Sequence, residues 1–165
     1  ALLYSHRKGV AHLDLKPENV LFDASKDQCV LCDFGHACST DFLVSGRGTK
    51  LYSSPETRTG QEYDPVSADI WSLGILLYVL VSGCFPRSLN QEEDDYTINL
   101  NVSKSKFSPL CFDLVSTILH NDPEERPTIE EILRHPWCRP AKVCEKKKPC
   151  SLSVAVRSHL KRISV

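Results

Sequence analysis

The feature of this sequence that most constrains its fold is an uncharged, mostly apolar stretch at residues 70–81, directly after Asp69. The stretch is shorter than the roughly 20 apolar residues of a transmembrane helix, so it predicts a helix buried inside a globular fold. Ser67 is expected to cap this helix, which should end near Ser82 because Gly83 follows. Apolar residues cover nearly every side of the helix, so other elements must pack around it.

The segments before this helix predict shorter elements. Residues 1–10 are typical of the last turns of a helix, closed by Gly9. Two short apolar segments, 20–22 and 29–32, are joined by a polar turn and predict a β-hairpin. Residues 33–56 are rich in Gly, Ser and Thr without any periodicity, so they predict a long surface loop.

The second half of the chain predicts further helices. Residues 87–106 are polar, with room for one short helix. Ser108 predicts the start of a helix whose apolar residues recur at a spacing of four: Leu110, Leu114 and Ile118. Thr128 and Glu131 form a capping-box pattern for a last helix that ends at residues 135–136. The predicted fold class is therefore mainly α with a small β-hairpin.

Composition and net charge argue against a nucleic-acid-binding or membrane-spanning protein. The 165 residues are 41% apolar and 25% charged, which is typical of one globular domain. The net charge of −1 gives no general attraction to nucleic acid, and no stretch is long enough to predict a membrane span. The sequence also contains eight cysteines. Cys29 and Cys32 have the spacing of a metal or redox pair, but the other six show no zinc spacing, and we expect reduced thiols and a cytoplasmic protein.

The basic residues concentrate at the C-terminus. Residues 142–165 hold seven basic side chains and one acid, so we divide the chain into a domain at 1–138 and a flexible basic tail at 139–165. The tail has two interpretations. It is either a solvated extension or a basic amphipathic helix that binds an acidic partner, calmodulin or the domain's own cleft; the apolar stripe of that helix would be Leu152, Val156, Leu160 and Ile163.

Four polar residues suggest chemistry. Asp14, Lys16 and Asn19 lie within six positions of one predicted loop, and Asp33 follows an apolar strand and precedes Gly35. Asp33 and Asn19 offer oxygen ligands of the kind that Mg²⁺ prefers, together with phosphate oxygens. Asp14 could accept a hydroxyl proton, and Lys16 could hold a phosphoryl group as a point charge. The set predicts Mg²⁺-assisted phosphoryl transfer to an alcohol, and its alternative is an ordinary solvated loop.

These residues carry a resemblance to the protein kinases. Residues 12–19 resemble the catalytic loop of that family, and 33–35 its Asp-Phe-Gly metal motif. Three further motifs follow in the family's order: 48–49 with 54–56 at the close of the activation segment, 69–74 at the start of the central helix, and Arg126-Pro127. The resemblance implies a serine/threonine kinase, since Lys16 is typical of that class, with ATP and Mg²⁺ as cofactors and protein Ser/Thr hydroxyls as substrates.

The resemblance also implies a role for each residue. Asp14 would be the catalytic base, Lys16 would contact the γ-phosphate, and Asn19 and Asp33 would hold Mg²⁺. Cys32 would line the nucleotide pocket; the alternative that Cys29 and Cys32 bind one ion fails because residues three apart on a strand face opposite sides. Thr49 would bond to the Asp14–Lys16 pair and help to seat the substrate. Four residues would have structural roles: His12 packed on Phe34, Glu56 paired with Arg126, and Asp69 bonded to the backbone of the catalytic loop.

Several departures from the family bear on activity. Leu13 replaces the usual arginine that pairs with an activation-loop phosphate, so phosphorylation of Ser39, Thr40 or Ser45 is not expected to act through that route. The sequence of residues 12–17, together with that of residues 33–36, resembles both calmodulin-dependent kinases and kinase kinase kinases of the Mos and NF-κB-inducing type. No Gly-rich loop or anchoring lysine precedes the catalytic loop, so we expect the C-terminal lobe without the N-terminal lobe, inactive alone. The alternative is a non-catalytic docking module.

Overall fold

The computed structural model describes residues 1–26, 28–88 and 98–139 of the 165. The basic tail therefore lies outside the described residues from position 140 onward, and with it the predicted amphipathic helix and its acidic or calmodulin partner. The described helices are α1 (Leu2–Arg7), α2 (Pro65–Ser82), α3 (Pro109–Ile118) and α4 (Ile129–Arg134). Short 3₁₀ helices lie at Pro17–Asn19, Glu56–Arg58, Leu100–Lys106, Pro123–Glu125 and Pro136–Cys138.

The strands form three two-stranded antiparallel sheets within the described ranges, where the sequence predicted one hairpin. The predicted hairpin is present as β2 (Val20–Asp23) paired with β3 (Gln28–Leu31). The other two sheets are β1 (Val10–Ala11) with β4 (Cys38–Ser39), and β5 (Arg87–Ser88) with β6 (Ile98–Asn99). Both were missed because each strand has two residues, too few to show an alternating pattern.

Helix α2 is the centre of the fold, as the apolar stretch predicted. By length and composition it could cross a membrane, but 72% of its apolar window is buried inside the protein, as in the core helix of a globular fold. The predicted cap at Ser67 is wrong. Asp64 caps the helix by accepting from the backbone N–H groups of Val66 and Ser67, and Pro65 occupies the first turn, where its missing N–H costs nothing.

Three clusters of buried apolar residues surround α2. One side packs against α3 through Trp71, Ile75, Tyr78 and Val79. A second side places Ile70 against α1, α3 and α4. Near its N-terminus, Ala68 packs with three residues from the segments that flank it: Ala11, Leu13 and Tyr63. The helix therefore supports both the remaining helices and the loop that follows β1.

Helices α3 and α4 begin as predicted. The Ser108 side chain caps α3, and Thr128 and Glu131 form the complete capping box of α4. Leu110 is the exception among the predicted apolar face of α3, because it lies in the first turn and is 47% exposed. Leu114 and Ile118 are buried.

The segment 33–56 is a long loop of mostly exposed or half-buried residues, as its composition predicted, but it is attached to the domain at two points. Its strand β4 pairs with β1, and the backbone of Val44 exchanges hydrogen bonds with that of Tyr63. These contacts tie the segment to the strand that precedes the catalytic loop and to Tyr63, just before α2.

Candidate active site

The loop after β1 is anchored by one carboxylate from α2. Asp69 is fully buried, and its two oxygens accept from the backbone N–H groups of His12 and Leu13, each at 2.7 Å. The His6 Nε2 atom of α1 lies 2.9 Å from the same carboxylate. Sequence reasoning missed His6, because a partner 63 positions away leaves no local signal. Three segments thus meet at Asp69.

Leu13 has a backbone conformation that this anchor helps to hold. Its φ of 61° lies in the left-handed region, which is strained for a bulky side chain. Its side chain is buried against Ala11, Tyr63 and Ala68, with Val44 packed alongside. The position at which the family places a phosphate-binding arginine is therefore part of an apolar cluster.

The Asp14 carboxylate is the meeting point of the predicted catalytic residues. Lys16 Nζ lies 2.7 Å from Asp14 Oδ2, and the Asn19 amide nitrogen donates to the same oxygen at 3.0 Å. The Thr49 hydroxyl donates to Asp14 Oδ1 at 2.5 Å, and Lys16 Nζ is also 3.1 Å from Thr49 Oγ1. The structure thus brings four predicted residues together, and Oδ1 keeps a lone pair for a further donor.

These contacts set the charges of the pair. Burial alone would raise the pKa of Asp14, but hydrogen bonds from Lys16, Thr49 and Asn19, with the charge of Lys16, outweigh it and lower the pKa. The hydrogen bond to Asp14 raises the pKa of Lys16, and the nearby charges of Glu18 and Asp33 act in the same direction. At neutral pH the site therefore holds an ionised acceptor beside a fixed cation.

Asp33 lies near this group on the neighbouring segment. Its charge acts on Lys16, and its side chain is exposed at the end of the hairpin. Its φ of 60° is left-handed, a conformation that aspartate tolerates better than most residues, and its carboxylate accepts from the Gly35 N–H at 3.2 Å. The second carboxylate oxygen remains available as a ligand.

The donor set fits a magnesium ion. The side-chain amide of Asn19 uses both of its hydrogens on Asp14, so its side-chain oxygen, Oδ1, is left as an acceptor. Asp33 adds a carboxylate oxygen. Mg²⁺ binds to one or two protein oxygens and takes the rest of its ligands from water and phosphate. These two side chains are hard oxygen donors of that kind.

His12 connects the two segments that carry Asp14 and Asp33. Its Nδ1 accepts from the Asp14 N–H at 3.2 Å, so its Nε2 is the donor to the Cys32 carbonyl at 3.0 Å. The ring is fully buried, and its centroid is 4.7 Å from that of Phe34. The tautomer follows from the backbone donor, and the ring sets the spacing between the two segments.

Cys32 contributes its backbone to this arrangement. Its N–H donates to the Asn19 carbonyl at 3.0 Å, which joins the hairpin to the catalytic loop. A cavity of about 530 Å³ opens beside Phe34, and its apolar lining includes Cys29, Val30 and Leu31, but not Cys32. The predicted contact of Cys32 with nucleotide stays a prediction. No two of the described cysteines form a disulfide.

The close of the activation segment is fixed by an ion pair. Arg126 Nη1 and Nη2 lie 2.6 Å and 2.7 Å from the two carboxylate oxygens of Glu56. The guanidinium also lies over the Trp71 ring, 4.9 Å from its centroid. Burial would raise the pKa of Glu56, but the hydrogen bonds and charge of Arg126 lower it. Arg126 Nη1 also donates to the Ser67 carbonyl of α2 at 3.1 Å, so the pair holds the turn Glu56–Arg58 against α2.

Comparison with known proteins agrees with this geometry. The family described as "Protein kinase domain" matches residues 1–138. The SNF-related serine/threonine-protein kinase of Homo sapiens is 40% identical over 150 residues, which cover 83% of this chain and 19% of that protein. CBL-interacting serine/threonine-protein kinase 5 of Arabidopsis thaliana is 38% identical over 151 residues, 84% of this chain and 33% of that protein.

A third relative is the Ribosomal protein S6 kinase 2 alpha of Gallus gallus, 35% identical over 151 residues, 81% of this chain and 20% of that protein. The chain therefore spans between about a fifth and a third of the length of these relatives. The match to the family covers every residue that meets around Asp14, Asp33 and Asp69. The chain belongs to the protein kinase domain family, and the relatives that it resembles are serine/threonine kinases.

Proposed function

We propose that this chain forms the catalytic-loop side of a serine/threonine protein kinase that transfers the terminal phosphoryl group of ATP to a protein hydroxyl. The observation that carries the proposal is the convergence of Lys16, Asn19 and Thr49 on the Asp14 carboxylate. An isolated solvated loop would not bury an aspartate at 4% exposure and supply three donors to it.

Asp14 would act on the acceptor hydroxyl. Because its pKa is lowered, its carboxylate is ionised at neutral pH and accepts a hydrogen bond at the open lone pair of Oδ1. A weak base of this kind orients the hydroxyl and takes its proton late in the transfer. Thr49 and Asn19 hold the carboxylate in one rotamer, so the hydroxyl would be fixed in direction as well as in distance.

Lys16 and the two oxygen donors would serve the phosphate side. Lys16 uses two of its three ammonium hydrogens on Asp14 and Thr49, which leaves one for a phosphoryl oxygen. Asn19 and Asp33 would hold Mg²⁺, which, when bound, neutralises charge on the phosphate oxygens. Lys16 would therefore bind to a phosphoryl oxygen directly, whereas Asp33 would act on the phosphate through the metal ion.

The test is phosphoryl transfer in the longest natural protein that contains these residues, using labelled ATP, Mg²⁺ and a mixed protein substrate. We expect Asp14→Asn to reduce transfer at least about 100-fold, the range that general acid–base groups supply. Asp23→Asn is the matched control, because it changes a half-buried carboxylate whose partners, Ser25 and Lys26, lie on the hairpin turn, and it should leave the rate unchanged. Both variants should keep the far-UV circular dichroism of the parent. Retained transfer in Asp14→Asn would reject the assignment.

Binding of nucleotide can be measured separately on the 165-residue chain. A thermal shift with Mg²⁺-ATP would show stabilisation by ligand binding if this chain alone holds nucleotide. No shift, together with no transfer in the longer protein, would favour the non-catalytic docking module instead.

A further inference from the structure

A tight turn presents two side chains to solvent directly beside the predicted catalytic residues. The Tyr52 N–H donates to the Thr49 carbonyl at 2.9 Å, which closes the turn around Lys50 and Leu51. Lys50 is exposed, and Leu51 is 62% exposed. Thr49, the first residue of the turn, is the one whose hydroxyl contacts Asp14. A side chain bound at Asp14 therefore has Lys50 as its near neighbour on the protein surface.

Side-chain hydrogen bonds from Arg58 and Ser53 hold the backbone of this turn. An Arg58 amino group, Nη2, donates to the Lys50 carbonyl at 2.5 Å and to the Ser53 carbonyl at 3.1 Å. The Ser53 hydroxyl donates to the Thr49 carbonyl at 3.1 Å. These bonds fix the backbone of Lys50 relative to Thr49, whose hydroxyl contacts Asp14.

The cations around the turn differ in whether an acidic side chain neutralises them. Lys16 is neutralised by Asp14, and Arg126 by Glu56. The Lys50 ammonium has no ion-pair or hydrogen-bond partner in the part of the chain that the structure describes. Glu18 is exposed and acts electrostatically on Lys16 and on Tyr52, so it lies on the catalytic-loop side of the turn. The outer side of the turn therefore presents an uncompensated positive charge.

We propose that Lys50 selects protein substrates with an acidic side chain next to the acceptor Ser or Thr in the sequence. The inference rests on the proposed function, which brings a peptide hydroxyl to Asp14. One residue along an extended peptide spans at most about 3.6 Å, so a carboxylate adjacent to the acceptor is within reach of the side chain that follows Thr49. Lys50 is a specificity-determining residue in this arrangement, and the exposed Leu51 adds apolar surface for the same stretch of peptide.

The test is equilibrium binding of fluorescent peptides to the 165-residue chain, which needs no turnover. One peptide series carries Glu, Gln or Lys directly after the acceptor Ser, and a second carries them directly before it. We expect the Glu peptide of one series to bind about threefold tighter than its Gln counterpart, the size of an exposed ion pair, and the difference to shrink at high salt.

Charge reversal separates recognition from structure. Lys50→Glu should reverse the order, so that the Lys peptide binds tightest, whereas loss of folding would weaken all peptides alike. Lys26→Glu, the same change on the distant hairpin turn, should keep the parent order. Equal affinities for Glu and Gln peptides in both series, no measurable binding of any peptide, or an unchanged order in Lys50→Glu would overturn the proposal. None of these results bears on phosphoryl transfer, which the Asp14→Asn comparison decides independently.

Discussion

Arg126 joins parts of the chain that are far apart in sequence. Its guanidinium binds to both carboxylate oxygens of Glu56, donates to the His120 carbonyl at 2.9 Å, and lies over the ring of Trp71. The residue is 7% exposed, so solvent screens these interactions little. Its charge is buried only because all of these partners are in place.

We expect Arg126→Ala to destabilise the domain by about 3–5 kcal/mol, because it leaves the Glu56 carboxylate buried without its partner. Urea unfolding followed by tryptophan fluorescence measures the change, and Trp71 reports on the site itself. Arg134→Ala removes an exposed arginine from α4 and should change the free energy of unfolding by less than about 0.5 kcal/mol. Equal losses in the two variants would contradict this account of Arg126.

At the scale of elements, α2 packs tightly against the C-terminal end of α3 at Gly74. A Cβ atom at this position would lie 2.5 Å from Ile118 Cγ2 and 2.7 Å from Leu119 Cδ2, far inside normal contact. Glycine is therefore required by packing, since its backbone is helical and an alanine would otherwise favour the helix.

Gly74→Ala should accordingly destabilise the protein by about 1–3 kcal/mol, because overpacking outweighs the better helix propensity of alanine. Thermal and urea unfolding measure the effect. The double variant Gly74→Ala with Leu119→Ala removes the contacts with Leu119 Cγ and Cδ2, so it should lose less than the sum of the separate losses. A stabilised Gly74→Ala protein would show that the helices can separate without cost.

The elements that sequence predicted are those with a local signal. The capping box of α4 and the cap of α3 depend on residues within four positions, and both are confirmed. The cap of α2 was misassigned to Ser67, although Asp64 followed by Pro65 is the stronger start pattern. The β1–β4 pair could not be predicted, because its two-residue strands are 28 positions apart and depend on tertiary contacts.

The candidate site divides in the same way. The candidate residues at 14, 16, 19 and 33 could be recognised from sequence because they lie in two short motifs, 12–19 and 33–35. The positive φ of Leu13, the third partner of Asp69 and the turn that presents Lys50 were not legible, because each depends on a backbone path fixed by distant segments. The sequence suggested which side chains could do chemistry, and the structure shows how they are held together.

At the scale of the whole molecule, two partly or fully buried carboxylates make stability depend on pH. In the folded protein the pKa values of Asp14 and Glu56 are lowered below their ordinary values of 3.8 and 4.5. A lowered folded-state pKa means that the unfolded state binds protons first on acidification. The stabilisation is therefore present above the unfolded pKa values and is lost as pH falls through the folded ones.

We expect the free energy of unfolding to fall as pH decreases from about 5 to about 3, and to be flatter above about 5. Glu56→Gln should be less stable at pH about 6 and should lose less on acidification, since it removes one of the two groups. Glu62→Gln, an exposed carboxylate, is the control and should follow the parent curve. Stability that rises on acidification over this range would show that the sign is wrong. Urea unfolding at each pH is the measurement.

The carboxylate of Asp69 serves the core helix and the catalytic loop at once. It is fully buried in α2, yet its hydrogen bonds hold the strained backbone immediately before Asp14. A substitution at this position is therefore expected to change the predicted catalytic loop and the stability of the domain together. An engineer who wants to adjust the durability of this domain apart from its proposed reactivity would therefore begin at a residue other than Asp69.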